Sequence, residues 1–73
     1  MNTTTAMRYI RDHYAPIIEA DSIDTAHKMK MIASTYVSAW MLSGPLGNEE
    51  TEGLYKEIEA VYAVVADKFI VKY

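Results

Sequence analysis

The chain has 73 residues, no cysteine, two histidines and a formal charge of −3. That length allows one domain and a marginal core; disulfides are excluded as a staple, and a structural zinc site lacks ligands. The mild acidity gives no basic footprint for a duplex, so a nucleic-acid partner is not expected, and the high apolar content argues against disorder.

The start, MNTTTAMRYIRD, has no apolar core of a signal peptide. Residues 1–4 are expected to fray, with Thr4 or Thr5 capping a first helix over 5–20. Met7, Ile10, Tyr14 and Ile17 fall at helical spacing. Pro16 interrupts the run, because it lacks a backbone donor and disfavours helix at Ala15. The stripe stays in phase across it, which favours a kinked helix over two separate ones.

Asp21-Ser22-Ile23-Asp24 reads as a stop and restart, since Asp and Ser accept from the free N–H groups of a helix start. A second helix over 22–43 follows. Ala26, Met29, Ala33, Tyr36, Val37 and Trp40 share one face, with Trp40 expected to be central. Gly44-Pro45 ends it, and the short loop through Asn48 requires antiparallel neighbours. A third helix over 49–72 begins with Glu49, Glu50 and Glu52 where carboxylates favour the helix dipole. Leu54, Ile58, Val61, Tyr62, Val65 and Phe69 form its buried stripe. The sequence therefore predicts a single all-α domain over 1–73, a three-helix fold built on a long antiparallel hairpin with the N-terminal helix laid over it.

Ala60, Ala63, Val64 and Val71 form a second apolar strip on helix three, with Asp67 inside it. A three-helix monomer covers one face per helix, so this strip predicts self-association as a homodimer or higher symmetric oligomer. Asp67 is expected at the rim, or paired with Lys68 or Lys72 of the other copy. Helix two has leftovers of its own in Ile23, Ile32, Ala39 and Met41.

Met31 to Asn48 carries no charge. Met31, Ser34, Ser38, Met41 and Leu46 are candidates for a surface that meets another protein, with methionine suited to adaptable contacts. The apolar run is too short and too interrupted by serine and threonine for a membrane span, and a cytoplasmic location is the default. Arg8, Tyr9, Arg11 and His13 make the one basic and aromatic cluster, which could hold an anion or stack a base. Asp24 with His27 supplies two ligands where a metal site needs three or four. No nucleophile has a base in reach, and no glycine-rich phosphate loop follows a strand. The sequence therefore points to a binding protein without catalytic residues, metal or cofactor. The expected role is a regulator or inhibitor that occupies a partner protein, of the kind found among accessory proteins of mobile elements and viruses. A nucleotide or nucleic-acid binding module using Arg8 and Arg11 is the alternative.

Overall fold

A computed structural model of the chain describes residues 2–70. Its helices are α1 (Thr3–Asp12), α2 (Tyr14–Ile18), α3 (Ile23–Ser43) and α4 (Asn48–Lys68). No strand occurs among the described residues. α1 and α2 are the two halves of a bent first helix, and they pack on the α3–α4 hairpin.

Local chemistry sets the boundaries. Thr3 and Thr4, expected to fray, are helical because Asn2 caps α1: its Oδ1 accepts from the Thr5 N–H at 2.8 Å. The cap thus lies two residues before Thr4 and three before Thr5. Thr3 Oγ1 also donates to the Pro45 carbonyl at 2.7 Å, which ties the start of α1 to the α3–α4 loop.

The interruption associated with Pro16 falls at His13. Proline cannot donate to the Asp12 carbonyl, and its ring crowds that oxygen, so the helix closes just after Asp12. The His13 N–H turns back to Ile10 O at 2.9 Å. The Tyr9 carbonyl, deprived of that donor, accepts from His13 Nδ1 at 2.8 Å. A carbonyl only accepts, so Nδ1 carries the proton. Pro16 then sits in the first turn of α2, where its missing N–H costs nothing.

α3 begins at the Ser22 cap, whose Oγ accepts from the Thr25 N–H at 3.1 Å. It ends at Gly44, which turns left-handed at φ 108° and donates to Trp40 O at 3.1 Å. Glycine is needed there because a Cβ disfavours that backbone region. α4 starts when Glu50 reaches back to accept from the Gly47 N–H at 3.1 Å. Glu49 and Glu50 lie in its first turn and Lys68 in its last, as the helix dipole favours. The helix stops at Lys68, short of the expected residue 72. Phe69 N–H closes onto Ala66 O at 3.0 Å, and the exposed Phe69 and Ile70 have little core to extend over.

The core holds Ala6, Ile10, Ile17, Ala26, Ala33, Val37, Leu46, Leu54, Ile58 and Val65. The antiparallel hairpin brings Ser38 to Tyr55, Lys30 to Glu59 at 2.8 Å, and His27 to Tyr62 at 6.1 Å between rings. Trp40 is half-buried and packs against the edge of this core rather than at its centre. Thr51, polar but buried, keeps its hydroxyl satisfied by donating to Gly47 O at 2.8 Å. The result is a rod of 46 × 18 × 16 Å. Its radius of gyration is 13.0 Å, against about 11 Å for a compact chain of this length. A slender bundle buries less of each helix, so outer faces stay open.

Candidate functional site

The most apolar open face belongs to α3. At about 100° per residue, Ala26, Ala33 and Val37 point inward, and Met31, Ile32, Thr35, Ala39 and Leu42 point out. Leu42 is 82% exposed and Met31 52%. No charged residue lies between Met31 and Asn48, so nothing along this stretch repels an apolar partner. Beside it, Met41 of α3 and Tyr55, Glu52, Lys56 and Glu59 of α4 line a groove of about 450 Å³.

The expected partner-binding residues divide. Met31 and Met41 are exposed, and Ser34 is half-buried. Ser38 is engaged within the fold by the Tyr55 hydroxyl across the hairpin. Leu46 corrects the expectation: only 3% exposed, it tucks back into the core. The tight cap at Gly44 turns the chain inward, and the Leu46 N–H meets Trp40 O at 3.4 Å.

The basic and aromatic cluster of α1 is split between two neighbours. Tyr9 and His13, four residues apart, face α3 and meet Tyr36 and Trp40, also four apart. The Tyr9 ring lies 4.9 Å from Trp40 and 5.4 Å from Tyr36, and His13 lies 4.7 Å from Tyr36. Such tilted and edge-on pairs add to area burial. The neighbouring Tyr36 hydroxyl is the main cause that raises the Tyr9 phenol above its ordinary value. The two i,i+4 pairs, Tyr9 with His13 and Tyr36 with Trp40, signal this cluster in the sequence, and only Tyr36 and Trp40 belong to the apolar stripe of α3.

Arg11 turns the other way, onto α4. Its guanidinium forks onto Glu57, Nε to Oε1 at 3.0 Å and Nη2 to Oε2 at 2.9 Å. Tyr14 donates to Glu57 Oε1 at 3.0 Å. The Arg11 hydrogen bond holds the Glu57 carboxyl below its ordinary value, against an opposing effect of partial burial and with help from Tyr14. Burial first, and the Glu57 bond second, push the Tyr14 phenol well up. Glu57 in turn raises the Arg11 guanidinium. Arg8 stays exposed on the outer side of α1. Arg8 and Arg11 therefore grip one anion only if Arg11 releases Glu57.

The lowered carboxyl has a pH signature. A depressed folded pKa contributes stability that is present above the ordinary value of 4.5 and lost as pH falls through the folded value. The wild-type melting temperature is expected to drop more steeply than that of Glu57→Gln between about pH 5 and pH 3. Parallel slopes in thermal denaturation would show that the fork carries no stability. The group is partly open to solvent, so the effect is modest, about 1 kcal/mol or less.

On α4, Ala60, Ala63 and Val64 are exposed, Val64 by 65%. Val71 and Lys72 lie outside the described residues. Asp67 is exposed in the same strip. Asp24 and His27 are both exposed, and no group of three or more His, Cys, Asp or Glu side chains gathers as for a metal ion among the described residues. No described helix is long and apolar enough to cross a membrane. No protein-family model, curated protein or solved structure matches the chain.

Proposed function

We propose that the chain is a small cytoplasmic regulator or inhibitor that acts by occupying the surface of a partner protein, docking through the outer face of α3. The observation that carries this reading is the exposure of Met31, Ile32 and Leu42 along a stretch without charge. Large apolar side chains left open in a row mark interaction surfaces, and methionine adapts to the shape it meets. The groove at Met41 and Tyr55 extends the face and has room for more than one anchoring side chain. The reading requires no chemistry from the chain itself, only contact area and exclusion of competitors.

The anion-binding alternative draws less support, because Arg11 is already committed to Glu57, and the Tyr9 and His13 rings pack at tilted angles against each other and against Tyr36 and Trp40. A photocrosslinking residue placed at position 42, and in a control at position 8, identifies the partner in host cells. With that partner purified, Leu42→Lys is expected to weaken binding by about 30-fold or more, as for a buried anchor. The circular dichroism spectrum should be unchanged. Arg8→Ala and added salt should have little effect. Binding that survives Leu42→Lys but collapses with Arg8→Ala and with salt would replace this reading by the anionic one.

A further inference from the structure

The outer face of α4 repeats at alternating steps of three and four residues through Gly53, Lys56, Ala60, Ala63 and Asp67. That is the spacing of a helix-pairing seam. All but the half-buried Gly53 are exposed. We infer that two copies of the chain pair α4 against α4 in antiparallel fashion about a two-fold axis, with Lys56 of each facing Asp67 of the other.

Three features carry the inference. The first is charge. In the antiparallel arrangement Lys56 meets Asp67 twice, once on each side of the axis, and Ala60 meets Ala63 between them. A parallel pairing would set lysine on lysine and aspartate on aspartate, which is unfavourable.

The second is Gly53 itself. Glycine inside a helix weakens it relative to alanine. Nothing among the described residues requires it, since a Cβ at this position would meet none of their atoms within 4 Å outside its own helix turn. Its lack of a side chain is spent on no internal contact, and a close approach from outside the chain accounts for it. The third is the apolar flank. Val64 and Ile18 line a groove of about 230 Å³ with Val61, Val65 and Lys68, beside the seam, and an incoming helix would cover it. Lys56 now pairs at 3.2 Å with Glu52 one turn back, both well exposed. Such a solvated pair is readily exchanged for one across an interface. The pairing gives Asp67 a different neighbour from Lys68 or Lys72, and it leaves the outer face of α3 open.

Sedimentation of the full chain tests this. The wild type is expected to dimerise at micromolar concentration. Lys56→Glu alone and Asp67→Lys alone should each weaken the dimer roughly tenfold or more, through like charges brought together. The double variant should restore it. Circular dichroism checks that each variant folds. Should a reversal fail to fold, Ala60→Cys mixed with Ala63→Cys gives a second readout, in a chain with no other cysteine. The mixture should cross-link as a disulfide heterodimer faster than either variant alone. A chain that stays monomeric, a dimer indifferent to both reversals, or cysteines that do not cross-link would overturn the inference.

Discussion

Replacing Ile58 with alanine is expected to remove about 2–5 kcal/mol of stability, close to half of what the domain has. Deleting three buried carbons loses transfer energy and leaves a cavity that neighbours fill only in part. Ile58 is fully buried on α4, in the same cluster as Ile10, Ile17 and Val37 from the other helices. A chain of 73 residues has a total stability of only about 4–11 kcal/mol. At this size each kcal/mol moves the melting temperature by about 4–8 °C. Trp40→Ala is expected to cost less, although tryptophan is the larger residue, because Trp40 is half-buried at the core edge against Tyr9 and Tyr36. Thermal denaturation of the two variants checks the order. A Trp40→Ala loss as large as that of Ile58→Ala would place the core around the indole after all.

Overfilling the hairpin should be almost as damaging. Ala26 and Ala33 lie seven residues apart on the inward side of α3, and both are fully buried. Their small side chains let the neighbouring helices come close. Ala33→Phe is expected to cost about 1–3 kcal/mol or more, by forcing the helices apart or the ring off its preferred rotamer. Ala39→Phe, on the outer side of the same helix, is exposed and should stay within about 0.5 kcal/mol of wild type. Urea titration of both variants separates a packing effect from one of helix propensity. Equal losses would show that the inward side of α3 is not closely packed.

Features set by neighbours in the chain were legible in the sequence. Ser22 and Gly44 bound α3 because a cap and a left-handed turn depend on a few adjacent residues. The inward stripes of α3 and α4 followed from periodicity, and Ala26, Ala33, Val37, Leu54, Ile58 and Val65 are buried where it placed them. What escaped depends on distant residues. Glu57 reads as an ordinary charged position on α4 until Arg11 and Tyr14 arrive from 46 and 43 residues away. Leu46 looked exposed in a loop, and the turn at Gly44 folds it under. Trp40 shares the apolar face of α3 in the sequence, but in the fold it is turned toward Tyr9 at the side of the bundle. The candidate surface was visible as a lack of charge. Which of its apolar residues remain open was decided by packing: Leu42 and Met31 stay out, and Leu46 goes in.

The hydrogen bond from Thr3 to Pro45 fixes the start of α1 beside the α3–α4 turn. α4 leaves that turn and runs antiparallel to α3 for 21 residues, about 31 Å at 1.5 Å per residue. The two ends of the described chain therefore emerge at opposite poles of the rod. Tension applied between them acts along the helix axes, so the helices must slide past one another in shear, with many side-chain contacts breaking together, before the bundle opens. The same polarity makes the folded chain a spacer: whatever is joined to one end is held a full molecular length from whatever is joined to the other.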